Sequence, residues 1–227
     1  MRIMFSMSQH DWFAWHSPYE DPDSPLSRRL AMVQDRLAEA MDRCPPGRVR
    51  VVSMCAGQGR DILGVLSRHP RASDVVARLV ESDPRNAAVA RQGASYFAGV
   101  EVVQADAGRT DAYVGVVPAD IVLACGVFGN ISSDDIHRTV AAFPSLCAPG
   151  AIVIWTRHRQ EPDLTPQVRD WFRSAGFAEE AFGVSEDGFM AVGSHRLTGE
   201  VLPFLAGQYL FRFAGQRAHR AWDRPAR

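Results

Sequence analysis

Residues 49–61, Val-Arg-Val-Val-Ser-Met-Cys-Ala-Gly-Gln-Gly-Arg-Asp, constrain this chain more than any other stretch. Val49, Val51 and Val52 form a β-branched run, the composition of a buried strand. Gly57 and Gly59 break it, and Ile62, Leu63, Val65 and Leu66 supply the apolar face of a following helix. Glycine tolerates positive φ and carries no Cβ, so a backbone can come close to a ligand at such a turn. The helix start offers free N–H groups to negative charge. A lone Gly-x-Gly is weak, and its meaning depends on what stands at the ends of the next strands.

Residues 76–80 (Val-Ala-Arg-Leu-Val) read as a second strand finishing at Glu81, with Asp83 and Pro84 as cap and first turn of a helix. A third strand at 100–103 ends near Asp106. The fourth, 120–124, runs into Cys125-Gly-Val-Phe-Gly-Asn130, after which Ser132 and Asp135 have capping-box spacing. The fifth, 151–155, follows Pro149-Gly150, and Thr165-Pro166 starts a helix that Gly176 ends. Two late strands, near 189–194 and 208–213, are expected to pair as a hairpin. Upstream, Ser24 and Pro25 start a helix with Leu26, Leu30, Val33, Leu37 and Met41 on one face, and Pro45-Pro46-Gly47 stops it. Alternating strands and helices predict an α/β fold with a mostly parallel sheet, all these strand ends lying on one edge.

Composition narrows the function. At 227 residues and 46% hydrophobic, the chain is long enough for one domain with a full core, or one domain plus a small appendage. A net charge of −1 gives no signal for nucleic acid or a membrane surface. No apolar leader is visible and no window approaches the roughly 18 apolar residues of a membrane span, so a cytoplasmic location is expected. Cys44, Cys55, Cys125 and Cys147 lie too far apart for a metal pair, so reduced thiols and no metal are expected. All 25 basic residues are arginine. Without lysine, Schiff-base chemistry, a Walker phosphate loop and a Tyr-Lys dehydrogenase pair are excluded.

Glu81 falls about 20 residues after Gly59, where a carboxylate accepts hydrogen bonds from both hydroxyls of a ribose. Asp106, one strand further, adds an acceptor suited to an adenine amino group. A nicotinamide enzyme would want a small residue where the bulky Ile62 stands.

On these residues the sequence resembles the class I S-adenosylmethionine-dependent methyltransferases, over roughly residues 48–213. The resemblance implies a mostly parallel seven-stranded sheet with helices on both faces and a terminal antiparallel strand pair. It implies S-adenosyl-L-methionine as cofactor, its methionine part approached by the backbone of Ala56, Gly57 and Gly59. Glu81 would hold the ribose, Asp106 and the Ala107 amide would read the adenine, and Val127 and Phe128 would flank the cofactor. Cys55, Ser82 and Gly126 complete the set as neighbours in the same turns. The family's motif begins with an acid where Ser53 stands and has glycine where Cys55 stands. Asp61 is then either a substitute holder of the cofactor's amino group or an ordinary first-turn carboxylate.

Methyl transfer from a sulfonium is an in-line displacement, so alignment matters most and a base matters only for an acceptor with a proton to lose. His158, His16 and Tyr19 are the candidate bases, His158 about three residues past the fifth strand between Arg157 and Arg159. Asn130 and Arg157 stand at strand ends suited to a polar or acidic substrate. The aromatic segment at 10–19, with Trp12, Trp15, His16 and Tyr19, is either an arm packed on the core or a lid and substrate wall. The expected organisation is an arm and helix at 1–47, a cofactor-binding core at 48–215 and a solvated arginine-rich tail at 216–227. Methylation of a small molecule is the leading reading. The alternatives are another enzyme on the same site (a cyclase consuming the cofactor, or a nucleotide-dependent enzyme) and a non-catalytic cofactor-binding protein.

Overall fold

A computed structural model describes residues 11–213. His10, the other residues before Asp11 and the expected tail at 216–227 lie outside the described residues. In chain order the elements are α1 (Pro25–Arg43), β1 (Val49–Met54), α2 (Arg60–Leu66), β2 (Val75–Glu81), α3 (Pro84–Ala94) and β3 (Val100–Gln104). They continue with β4 (Ala119–Ala124), α4 (Ser133–Ala142), β5 (Cys147–His158), α5 (Thr165–Ser174), β6 (Phe177–Val184) and β7 (Met190–Leu197). The strands form one seven-stranded sheet in the order β3-β2-β1-β4-β5-β7-β6. β3 through β5 run parallel, and β7 is antiparallel to both β5 and β6.

β1 is the axis of the sheet. Val51 pairs with Ala77 of β2 on one side and with Ile121 of β4 on the other. A strand enclosed on both edges is apolar wherever its faces are covered: Val49, Val51 and Val52 are fully buried, and Arg50 near the start of the strand is its one exposed residue. Two buried clusters flank the sheet. One joins α1 and α2 to the strands through Val33, Leu37, Met41, Ile62 and Val65, and the other joins α4 and α5 to the strands through Ile136, Val140, Trp155 and Phe172, with Phe128 and Phe143 beside them. α1 is therefore part of the core, and each such side chain contributes about 1.5–3 kcal/mol by burial.

The helix starts are where the capping residues put them. Ser24 Oγ accepts from the Ser27 N–H at 3.1 Å, Asp83 from Arg85 at 2.9 Å and Ser132 from Asp135 at 3.2 Å. Each satisfies a backbone donor that the first turn leaves free.

The expected late hairpin is corrected in one partner. β7 contains residues 190–194, but it pairs with Phe177–Val184 and not with residues 208–213. The Glu179-Glu180 pair and a register shift between Glu179 and Ala181 hide the alternation of this edge strand. The backbone of 208–213 finds other partners: Leu210 N–H donates to Gly108 O at 2.8 Å, and Arg212 N–H to Asp135 Oδ2 at 3.2 Å. A second correction concerns β5, which runs on to His158, so that His158 is its last residue and pairs with Met190.

Candidate active site at the carboxyl edge of the sheet

The glycine turn after β1 is closed to side chains. Gly57 (φ +55°) and Gly59 (φ +71°) are both left-handed. A Cβ on Gly57 would stand 2.3 Å from His16 Nε2, and one on Gly59 would stand 2.8 Å from Leu79 Cδ2. Cys55 is the one non-glycine residue with positive φ among the described residues, at +50°. That conformation costs an L-residue about 1–2 kcal/mol, a physical reason for glycine at this place. Burial, reinforced by Glu81 and Asp106, pushes the Cys55 thiol well up, so it is an inert thiol.

At the end of β2, Glu81 accepts the Gly57 N–H at 2.8 Å and the Asp83 N–H at 2.7 Å. The carboxylate thus staples the glycine turn to the β2–α3 connection. Burial pushes its carboxyl upward, against the pull of those backbone donors. Ser82 beside it is exposed. At the end of β3, Asp106 accepts the Gly108 N–H at 2.8 Å and the Tyr209 hydroxyl at 3.1 Å, and Ala107 is buried. A carboxylate offers about four acceptor positions, so Glu81 and Asp106 both keep capacity for a ligand. Tyr209 was not among the expected site residues, because no local pattern links it to Asp106 across 103 positions.

The loop after β4 is built from beneath. Gly126 N–H donates to Thr156 Oγ1 at 2.8 Å, Asn130 Nδ2 donates to Gly126 O at 2.7 Å, and the Arg157 guanidinium donates to Phe128 O. The Val127 and Phe128 side chains are fully buried, with Phe128 against Trp155 at 5.9 Å between centroids. A ligand at this edge would meet their backbone. His158 packs over Gly129, its Cδ2 3.1 Å from where a Cβ would stand, and stacks on Phe189 at 6.4 Å. Its Nδ1 is buried and has no hydrogen-bond partner. Burial first, then the Arg157 charge, lowers the pKa of this imidazole. Arg159 is turned to Asp163 at 3.0 Å.

The arm lies against the glycine turn as a 3-10 helix, Ala14–Glu20. His16 Nδ1 faces Trp12 O at 2.7 Å, so the carbonyl assigns the proton to Nδ1 and leaves the Nε2 lone pair over Gly57. Burial lowers the His16 pKa and raises that of Tyr19. Arg29 donates to the Tyr19 hydroxyl and lies 5.5 Å from the Trp15 ring centroid, and Arg60 lies 5.4 Å from that of Tyr19. Arg85 fastens the arm to α3 through Asp11 at 2.7 Å and Phe13 at 5.2 Å. Trp15, His16 and Tyr19 are thus gathered at the glycine turn, whereas Asn130, Arg157 and His158 form a second group at the β4 and β5 ends. The spacing of apolar residues in α1 gave no sign that Arg29, a buried arginine on its face, belongs to this edge.

Sheet order, the antiparallel closing pair, the glycine turn after β1 and carboxylates ending β2 and near the end of β3 define the class I methyltransferase fold. Solved structures share this fold with the chain. N-methyltransferase NodS from Bradyrhizobium japonicum, in complex with S-adenosyl-L-homocysteine, aligns with a TM-score of 0.62 at 13% identity, over 82% of this chain and 95% of that one. The 1,6-didemethyltoxoflavin-N1-methyltransferase of Burkholderia thailandensis, with that molecule and S-adenosylhomocysteine bound, aligns at 0.60 and 16% identity, over 83% and 87%. A possible exported protein from Bordetella parapertussis aligns at 0.62 and 17%, over 82% and 79%. No family model matches the chain, and no curated protein matches its sequence. Among the described residues, no helix is long and apolar enough to cross a membrane.

Proposed function

We propose that this protein transfers the methyl group of S-adenosylmethionine to a compact small-molecule acceptor. The observation that carries the reading is Glu81: a buried carboxylate ends β2 beside the glycine turn, with acceptor capacity beyond its two backbone bonds. A ribose with two vicinal hydroxyls is the natural complement of such a group. Asp106, one strand further along the edge, suits the amino group of an adenine. NodS and the didemethyltoxoflavin enzyme, whose fold this chain shares, hold S-adenosylhomocysteine in their structures.

The cofactor supplies a methyl group on a sulfonium, already activated for displacement. What remains for the chain is binding, alignment and proton handling. The Gly57 and Gly59 backbone would take the methionine part, Glu81 the ribose, and Asp106 with the Ala107 amide the adenine. Asn130 and Arg157 act through the loop they tie down, holding Gly126 and Phe128 in place beneath the acceptor. His158, whose pKa burial and then the Arg157 charge lower, is held neutral as the candidate to take the proton from an acceptor O–H or N–H. His16 is the second neutral imidazole at the edge. Tyr19 stays protonated, because burial raises its pKa, and serves as wall and hydrogen-bond donor. The arm covering the turn favours a compact acceptor over a macromolecule.

Calorimetry with S-adenosylmethionine, S-adenosylhomocysteine and NADH tests the reading, followed by detection of S-adenosylhomocysteine released across a panel of small phenols, amines and carboxylic acids. Binding of the two sulfur nucleosides and release with at least one acceptor are expected. Preference for NADH refutes the cofactor. Binding without turnover on any acceptor would favour a ligand sensor.

A further inference from the structure

The cofactor reading leaves one end of S-adenosylmethionine without a holder. The acid that would meet its amino group is replaced by Ser53, whose buried hydroxyl carries no charge. Among the described residues, two buried charged side chains at this edge are without an opposite charge. Arg29 on α1 is 6% exposed, and Asp61 in the first turn of α2 is 9% exposed. Neither has an ion-pair partner among the described residues. Arg29 donates to the Tyr19 hydroxyl and faces the Trp15 ring. Asp61 Oδ1 accepts the Ile62 N–H at 2.8 Å and the carboxylate also feels its own backbone N–H, which leaves acceptor capacity for a charged donor.

These charges are neighbours without being a pair. The Arg29 charge lowers the Asp61 pKa, yet burial outweighs it and the carboxyl is pushed up. The Tyr19 hydroxyl, which accepts from Arg29, also feels the charge of Asp61 and of Cys125, the residue that follows β4. A buried guanidinium and a buried carboxylate that do not neutralise each other are costly to keep, unless a ligand completes both. An α-amino acid group is that kind of ligand, with its ammonium and carboxylate on a single carbon.

The order along the edge agrees. In the sequence β3-β2-β1-β4, Asp106 comes first, then Glu81, then the glycine turn, then this cluster. A nucleoside with its adenine at Asp106 and its ribose at Glu81 directs its 5′ substituent across Gly57 toward Arg29 and Asp61. We infer that Arg29 and Asp61 clamp the amino-acid end of the cofactor, Arg29 binding the carboxylate and Asp61 the ammonium. The assignment rests on the S-adenosylmethionine reading. It also gives the arm a second task, since Tyr19 positions the Arg29 guanidinium.

The test uses ligands with different groups at this end, each compared with itself across the variants because decarboxylated S-adenosylmethionine also carries a sulfonium charge. S-adenosylhomocysteine carries the full amino-acid group, decarboxylated S-adenosylmethionine lacks the carboxylate, and 5′-methylthioadenosine lacks both charges. Titration calorimetry compares them on the wild-type chain and on Arg29→Gln, Arg29→Lys and Asp61→Asn. Loss of a charge-assisted bond should weaken S-adenosylhomocysteine about 10- to 100-fold in Arg29→Gln and Asp61→Asn. Methylthioadenosine should bind all four proteins alike, and decarboxylated S-adenosylmethionine should respond to Asp61→Asn but not to Arg29→Gln. Arg29→Lys, which keeps the charge, should recover part of the loss and serves where Arg29→Gln does not fold. Wild-type affinity for S-adenosylhomocysteine in the variants overturns the clamp and leaves the cofactor reading standing. Equal loss of methylthioadenosine also overturns it, since the residues would then merely shape the fold. A wild-type chain that binds none of the three overturns the cofactor reading itself.

Discussion

Glu81→Gln separates the two tasks that the structure assigns to one carboxylate. In the folded chain Glu81 accepts two backbone N–H groups, from Gly57 at 2.8 Å and Asp83 at 2.7 Å. Glutamine is nearly isosteric but has one acceptor oxygen, so its NH2 must face one of those donors. One charge-assisted bond is lost and one buried N–H is orphaned, which costs about 1.5–3 kcal/mol. At about 2–4 °C per kcal/mol for a chain of this size, the melting temperature should fall by roughly 3–12 °C. Binding should suffer separately. Two ribose hydroxyls that lose a charged acceptor forfeit about 2–4 kcal/mol, a rise in Kd of roughly 30- to 1000-fold. Calorimetric melting of the free protein and titration with S-adenosylhomocysteine read the two effects independently. An unchanged melting temperature refutes the staple, and wild-type affinity refutes the ribose placement. Because burial raises the Glu81 pKa, its protonation begins above the ordinary glutamate range. Affinity should therefore decline on mild acidification in the wild type and stay flat in the glutamine variant.

Deleting residues 1–21 removes His16, Tyr19 and the Asp11–Arg85 tie but leaves α1 and every strand, so a folded protein that still binds nucleoside and turns over poorly is expected. Circular dichroism and product release measure this, and an unfolded truncation means that the arm is structural packing. His158→Ala should slow turnover about 10²–10⁴-fold with S-adenosylhomocysteine affinity unchanged. Near-normal rates between about pH 6 and 9 would move the base to His16. His195 is buried between Trp155 and Phe172 and accepts the Trp155 Nε1–H at 3.2 Å, and burial lowers its pKa to about 4. Its folded pKa lies below the unfolded value of about 6.5, so the unfolded chain binds the extra proton between them. Stability is full above about pH 6.5 and falls by about 3 kcal/mol as pH drops toward 4. Urea unfolding across that range should show the slope, and a His195→Gln variant with equal steepness would refute the assignment.

The parts of this protein legible in its sequence are those whose physics closes within a few residues. A β-branched run enclosed by two neighbours must be apolar, so β1 announced itself. The positive φ of the glycine turn admits little but glycine, and helix starts show as Ser24, Asp83 and Ser132 because a cap bonds two or three positions ahead. The positions of Glu81 and Asp106 follow from strand length and parallel order. Tertiary structure decided what depends on distant partners. The edge strand β6 is recognisable only once β7 lies beside it, because its exposed face carries glutamates and its register shifts. Residues 208–213 look like a strand but give their backbone groups to Gly108 and Asp135, which no local pattern could assign. His16 over Gly57, Arg29 near Asp61 and Tyr209 on Asp106 each join residues 32 to 103 positions apart. Such contacts exist only after the sheet has brought its strand ends to one edge, and there the charges meet.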